Sequence, residues 1–217
     1  MIDVNDVFEN QSVAKLAEAV RDGNEKNIKE LVTQGIDPNA IGDRDTSLLF
    51  WAMLNKSERG FKALLNTGAD PTIPDKNGRT MLHIAAAINT PEYLVMLLDY
   101  GMDPNIKNTQ GGETPLFDAV GEQSHLQFDR LIDAGADINS QDVMGDSVLH
   151  HAASTRNASS VIKLLEMGAN PNIKNNQGKT FQSSFFRMPE DVMTDKGKQK
   201  RQWVPSWLRK HGIEVEG

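Results

Sequence analysis

A five-residue pattern occurs five times along this chain of 217 residues: Gly, a variable residue, Asp or Asn, usually Pro, and then Asn or Thr. Successive copies start 33 or 34 residues apart. A second motif, Ser or Thr followed two residues later by Leu, keeps the same spacing and phase. Two motifs locked in phase indicate a repeat protein, whose units are too small to bury their apolar faces alone and therefore stack on their neighbours. The first motif begins at Gly35, Gly68, Gly101, Gly135 and Gly168, and the second at Ser47, Thr80, Thr114 and Ser147.

The third repeat, residues 75–105, shows the pattern most fully. It has a turn, a short helix that begins Thr80-Met81-Leu82-His83, a second helix and then the five-residue Gly motif, called here the Gly exit. The pattern G-x-T-x-L-H-x-A, an apolar helix and G-A-D-x-N resembles the ankyrin repeat over residues 12–187. The resemblance implies an all-α fold, an ankyrin-repeat solenoid of stacked helix-turn-helix units with the turn tips on one side. We expect residues 1–217 to form one domain of about five to six repeats, with a lead-in at 1–11 and a C-terminal insertion and capping helix at 188–217.

The terminal segments carry further expectations. The lead-in places Val4, Val7 and Phe8 where they can cover the first repeat. Apolar spacing predicts helices over 13–20, 25–34 and about 202–211, and Ser12 stands where an N-cap is expected for the first of them. The second repeat departs from the family pattern, with Asp45 where Gly is usual and Phe50 where His is usual.

The motif residues are interpreted as structural. Gly after a helix adopts the left-handed conformation without a Cβ clash, and Asp or Asn two residues later favours the next turn. His83 and His150 resemble the family histidine that bonds within and between turns. The neighbouring His150 and His151 point in different directions on a helix and cannot share a metal. With no cysteine and no catalytic motif, we expect no enzyme, no metal and no cofactor.

Charge and hydropathy limit the class of partner. Residues 1–187 carry 17 basic and 25 acidic side chains, a net charge of −8, which argues against nucleic acid because phosphate contacts need Lys and Arg. No apolar run approaches the length of a membrane span, so no stable membrane insertion is expected. The amino end lacks the basic and apolar regions of a signal peptide. We expect the bacterial cytoplasm, or the periplasm if a leader has been removed, and a monomer when the protein is alone.

The partner-binding residues are expected at the non-consensus positions of the turn tips and inner helices, which form the concave side in ankyrin proteins. Trp51 is the strongest candidate because aromatic residues are enriched in interface hot spots. The alternative is that it only fills space between repeats. An exposed apolar tip at Met144 would also favour contact, and the basic run from Lys196 to Arg201 is either a solvated loop or a site for an acidic partner or membrane surface. The predicted set is Asp43, Arg44, Trp51, Lys76, Arg79, Asp118, Glu122, Met144, Asp146 and His151.

The terminal segments also resemble a bacterial group of stand-alone ankyrin proteins. The resemblance lies in residues 13–19 (Val-Ala-Lys-Leu-Ala-Glu-Ala), 48–52 (Leu-Leu-Phe-Trp-Ala), 180–182 (Thr-Phe-Gln) and 207–213 (Trp-Leu-Arg-Lys-His-Gly-Ile). These proteins accompany lipase or phospholipase effectors of type VI secretion and act as their immunity proteins. The resemblance implies a protein that captures such an effector and neutralises it. A general ankyrin adaptor or regulator with another protein client is the alternative, and an enzyme using the 188–205 insertion is the third and least expected.

Overall fold

The computed structural model describes residues 3–121, 125–155, 157–187 and 195–216. Within these ranges the chain forms twelve α-helices and no strand, apart from two isolated bridges, which confirms the predicted all-α repeat fold. The helices are α1 (Gln11–Arg21), α2 (Glu25–Thr33), α3 (Leu48–Leu54), α4 (Glu58–Asn66), α5 (Met81–Ala87), α6 (Pro91–Asp99), α7 (Pro115–Asp118), α8 (His125–Asp133), α9 (Val148–Ser154), α10 (Ala158–Glu166), α11 (Gln182–Phe185) and α12 (Asp195–Lys210).

The chain divides into two compact units. The first contains Met1–Ala85 and Thr90–Asp103, and the second contains Ala86–Asn89 and Pro104–Gly217. In the first unit, the helix pairs α1–α2 and α3–α4 pack on each other through side chains that are fully buried. The core of these pairs is built from Leu16, Val20, Ile28, Leu48, Phe61 and Leu64. In the second unit, α9 and α10 bury Val148, Leu149, Val161 and Leu164 in the same way.

The lead-in covers the first repeat, as expected, and also contacts the second. Val4 and Phe8 are buried, and the Phe8 ring packs edge-on against Trp51 of the second repeat, with centroids 5.7 Å apart. The N-cap expected at Ser12 is wrong, because helix α1 begins earlier. The Asn10 side chain accepts hydrogen bonds from the backbone N–H groups of Ser12 and Val13, at 2.9 and 3.3 Å, so Asn10 satisfies the free donors of the first turn.

The Gly exits have the expected geometry. All five glycines have φ between 91° and 99°, in the left-handed region that suits a residue just after a helix. The Asp or Asn two residues later accepts a hydrogen bond from the N–H two positions on, as at Asp37 and Asn39 (2.8 Å). The Asn39 side chain then accepts a bond from the Asp70 N–H of the next exit, at 2.7 Å. Asn105 and Asn139 make the same link in the second unit.

The C-terminal helix differs from its expected bounds. Helix α12 begins at Asp195, seven residues before the predicted start, so the basic run is helical and does not form a loop. Lys, Gln and Arg are good helix formers, and the helix is fixed by Val204 and Leu208, which are fully buried. The first part of the insertion, residues 188–194, lies outside the described residues.

Candidate partner-binding surface

The first unit contains a cleft of about 430 Å³ between the turns of the second and third repeats. Its apolar part includes Ile41 and Ile73, whose side chains are 56% and 38% exposed. Its rim carries cations from both turns beside carboxylates. We call this the turn cleft, and its lining residues are Ile41, Arg44, Asp45, Ser47, Phe50, Ile73, Pro74, Asp75, Lys76, Asn77, Arg79, Met81 and Ile84. An apolar floor with a charged rim is the composition of a protein-binding surface.

The tip of the second repeat has an unusual backbone. Arg44 and Asp45 both have positive φ, 54° and 58°, although neither is Gly. Gly78 and Gly145 occupy the position of Asp45 in the third and fifth repeats, with φ of 75°. A left-handed residue with a side chain costs about 1–2 kcal/mol, and such strain is concentrated at functional sites. The second turn therefore holds Asp45 in the conformation that the third and fifth turns assign to Gly, and Arg44 beside it at the turn cleft is also left-handed.

The lead-in explains why this turn cannot follow the usual pattern. A Cβ at Gly42 would lie 2.4 Å from the Val7 carbonyl oxygen and 2.8 Å from the Phe8 ring, so only Gly fits. The corresponding residues of the third and fifth turns, Asp75 and Asp142, organise their turns with a carboxylate. The second turn lacks that carboxylate and is held by the Asp43 N–H, which donates to the Val7 carbonyl at 2.7 Å.

The third turn is held by Asp75. Its Oδ1 accepts hydrogen bonds from the N–H groups of Asn77 and Arg79, at 2.8 and 2.9 Å, and its Oδ2 pairs with the Arg79 guanidinium at 3.2 Å. Partial burial acts to raise the pKa of Asp75, but the two N–H donors and the Arg79 charge outweigh it, so the pKa lies below its ordinary value. Arg79 is thus both a rim residue and a stabilising partner of its own turn.

The prediction that the Trp51 side chain lies on the partner-binding surface is wrong. Its side chain is only 1% exposed, and its indole N–H donates to the Ala17 carbonyl at 2.9 Å. With Phe8 packed on one edge, Trp51 joins the lead-in, the first repeat and the second. Alanine at Trp51 would disturb the fold, because a large buried ring cannot be removed without leaving a cavity.

A second cleft, also of about 430 Å³, lies in the second unit. It includes two predicted residues, Asp118 and His151, both half-buried. The His151 ring packs edge-on against Phe117, with centroids 5.7 Å apart. Glu113 also contributes to this cleft. The predicted residue Glu122 lies outside the described residues.

The remaining predicted residues are at turn tips. Asp43 lies on the surface beside Val7 and Phe8, where it pairs with Arg44 at 3.8 Å, an exposed pair of little energetic weight. Met144 is 54% exposed, so its solvent position is as predicted. Asp146 is half-buried and accepts a hydrogen bond from the Asn175 side chain at 2.7 Å, which gives it a structural role in joining two turns.

The structural role of the two family histidines is confirmed. His83 and His150 are buried, and each ring Nδ1 lies 2.8 Å from the hydroxyl of the Thr or Ser three residues earlier. The second nitrogen of His150 lies 2.9 Å from the Lys179 carbonyl of the next repeat. Phe50 and Phe117 occupy the same position in the second and fourth repeats and each lines a cleft.

Sequence reasoning missed the apolar floor of the turn cleft, Ile41 and Ile73. The signal that was available was the departure from the family pattern at Asp45 and Phe50, since both residues line the turn cleft. In the described ranges, no cluster of three or more His, Asp or Glu side chains is arranged to hold a metal ion. The same ranges contain no helix long and apolar enough to cross a membrane.

Comparisons with known proteins agree with this geometry. A family model described as ankyrin repeats in three copies matches residues 16–108, 49–142 and 97–175, more than half of the chain. Among curated proteins, neurogenic locus notch homolog protein 1 from Homo sapiens and from Mus musculus is 38% identical over 69 residues. That match spans 32% of this chain and only 3% of those relatives.

Two solved structures are similar over most of the chain. The crystal structure of the ankyrin repeat domain of Bcl-3, described as a unique member of the IkappaB protein family, has a TM-score of 0.74 and 27% identity. That similarity covers 92% of this chain and 86% of the other. The crystal structure of EF0377, an ankyrin repeat protein, has a TM-score of 0.67 and 25% identity, and covers 89% of this chain and 97% of the other.

Proposed function

Because this chain belongs to the ankyrin repeat family, whose repeats are protein–protein interaction modules and generally non-enzymatic, we propose that it binds a protein partner through the turn cleft of its first unit. The observation that supports this site most is the strained tip, where Arg44 and Asp45 have positive φ at the rim of a cleft floored by exposed isoleucines. An apolar side chain of the partner would enter between Ile41 and Ile73, and acidic groups around it would meet Arg44 and Lys76.

The cleft suits a tight complex for two reasons. Burial of the two isoleucines removes apolar surface from water, which is the main favourable term in association. The surrounding helices and hydrogen-bonded turns already fix the backbone, so little conformational entropy is lost on binding. The charged rim would add specificity and speed of association more than affinity.

The partner that the sequence resemblance suggests is a lipase or phospholipase effector of type VI secretion, and we propose that this protein is its immunity protein. It would bind the effector in a stoichiometric complex and block its substrate entrance or hold it inactive. It would contribute no catalysis of its own. We place this activity in a bacterial cell, in the cytoplasm or, if the native protein has a leader, in the periplasm, where cell fractionation can test it.

The experiment is a capture from the native bacterium with tagged protein, followed by identification of the captured proteins by mass spectrometry. A lipase-like protein in stoichiometric amount, whose toxicity on expression is suppressed by this protein, is the expected result. A regulator or another client captured instead would replace the immunity proposal with an adaptor role. Capture of nothing by the wild-type protein would count against both.

The site is tested separately with matched charge reversals. The double variant Arg44→Glu with Lys76→Glu should raise the Kd for the captured partner by about tenfold or more, since rim cations are reversed. The control is Lys26→Glu with Lys62→Glu, which changes the net charge equally on exposed positions of α2 and α4. Equal affinities for the two variants would contradict the turn cleft while leaving partner binding itself intact.

A further inference from the structure

Charge is distributed unevenly between helix α12 and the rest of the chain. Residues 195–210 contain six basic side chains and one acidic side chain, a net charge of +5. All other residues together contain 17 basic and 29 acidic side chains, a net charge of −12. A helix of opposite sign on an acidic protein is a feature of segments that bind anionic surfaces.

One side of α12 is fixed on the repeats of its own unit. Val204 and Leu208 are fully buried, the Lys200 ammonium bonds to the Ser159 hydroxyl, and Arg201 donates to the Phe186 carbonyl at 2.7 Å. The opposite side faces solvent. Its exposed residues are Gln199, Gln202, Ser206, Arg209 and Lys210, with Lys198 half-buried at its edge.

An aromatic row lies beside this basic side. Trp203, Trp207 and His211 are four residues apart and therefore follow one another along the helix surface. The ring centroids of the first two are 6.2 Å apart, and those of the second two are 3.9 Å apart in a stacked arrangement. Both tryptophans are half-buried and His211 is exposed, so the indole edges can be reached from outside the protein.

We propose that the outward side of α12 binds the surface of an anionic phospholipid bilayer. Tryptophan is enriched at the headgroup level because its ring is apolar and its N–H is polar. Basic side chains beside it are attracted to anionic lipids. The outward side has no large aliphatic residue, so binding is shallow and peripheral, with the helix lying along the surface. An acidic protein would match the cations, but it would leave the aromatic row unexplained.

The proposal is independent of which protein the repeats bind, and purified protein alone tests it. The protein is sedimented with vesicles of phosphatidylcholine, or of phosphatidylcholine with phosphatidylglycerol, at low and high salt. Binding is expected only to the mixed vesicles and is expected to weaken as salt rises. Tryptophan emission should shift to the blue on binding, and the shift reports Trp203 and Trp207 because Trp51 is buried in the free protein.

A triple charge reversal gives the second measurement. Lys198→Glu, Arg209→Glu and Lys210→Glu together should lower partitioning onto the mixed vesicles by at least about a hundredfold, from about fivefold for each basic residue. The control is Lys26→Glu, Lys29→Glu and Lys62→Glu, which makes the same change in net charge on exposed positions of the first unit and should retain binding.

Each other outcome overturns the proposal. If the unmodified protein sediments with neither kind of vesicle, α12 has no lipid affinity, and an acidic protein becomes the occupant to test. Equal binding to neutral and anionic vesicles would show that the cations are not used. Equal loss in the triple variant and its control would show that net charge matters and the position of α12 does not.

Discussion

Replacement of Tyr93 by Phe probes a buried hydroxyl that has no hydrogen-bond partner among the described residues. The Tyr93 side chain is 1% exposed, its ring packs edge-on against Phe61 with centroids 5.0 Å apart, and its hydroxyl oxygen is unsatisfied. Burial first, and the nearby charges of Glu58 and Glu92 second, raise the pKa of Tyr93 to about 12 from an ordinary value of 10.0.

The direction in which the free energy of unfolding changes with pH follows from proton binding to Tyr93. Between pH 10 and 12 the unfolded chain has released the Tyr93 proton and the folded chain still holds it, so the unfolded state is favoured as pH rises. At pH 11 this group alone lowers the free energy of unfolding by about 1.4 kcal/mol relative to pH 8. Phenylalanine keeps the ring packing and removes the titration. Removal of an unsatisfied hydroxyl should also be neutral or stabilising by about 1 kcal/mol at pH 8.

The assay is urea unfolding of wild type and Tyr93→Phe at pH 8 and pH 11. The difference between the two proteins should be about 1.4 kcal/mol larger at pH 11, and all other titrating groups cancel in the comparison. Tyr100→Phe is the control at pH 8, because Tyr100 is 49% exposed and water already solvates its hydroxyl. A difference between wild type and Tyr93→Phe that is the same at both pH values would refute the reasoning, since the pKa of Tyr93 would then not be raised by folding.

Four further substitutions test the turns and the core by urea unfolding. Trp51→Ala should lower the free energy of unfolding by about 3–5 kcal/mol, and a loss below 1 kcal/mol would contradict its place in the core. Gly60→Ala should lower the free energy of unfolding by about 3 kcal/mol, because the new Cβ would lie 2.0 Å from the Val20 carbonyl oxygen. An unchanged free energy of unfolding would mean that the backbone moves freely at this position. Asp45→Gly should raise stability by about 0.5–1 kcal/mol by relieving the left-handed strain, and a decrease would show that no strain is stored. Asp75→Asn should be less stable than wild type at pH 7, and this difference should shrink on acidification, because a carboxylate with a lowered pKa loses its contribution as pH falls through that pKa. A difference that does not change with pH would contradict the role of the carboxylate in its turn.

The repeat pattern predicts the fold well because its signals are local and occur several times. Gly101 and Asp37 each act within a few residues, so spacing along the chain is sufficient to assign them. The burial of Trp51 is a feature that local spacing does not predict. The sequence places it on an inner helix, but its burial depends on Phe8, more than forty residues away, and no periodicity reports that contact. Helix α12 also begins earlier than its apolar spacing predicts, since it packs on α10 of an earlier repeat, a contact that local spacing does not show.

The candidate site was predicted in part. The charged rim residues Arg44, Lys76 and Arg79 were found because turn tips vary and carry polar side chains. The floor was missed because Ile41 and Ile73 look like ordinary core residues in a sequence, and only the structure shows their exposure.

The close approach of the lead-in to Gly42 also has an evolutionary consequence. The space that a Cβ would need at position 42 is occupied by the Val7 carbonyl and the Phe8 ring, and Phe8 in turn packs on Trp51. Positions 8, 42 and 51 should therefore change together among relatives of this protein. A relative with Asp at position 42 should therefore lack the aromatic residue at position 8, because the lead-in and the second repeat occupy the same space there.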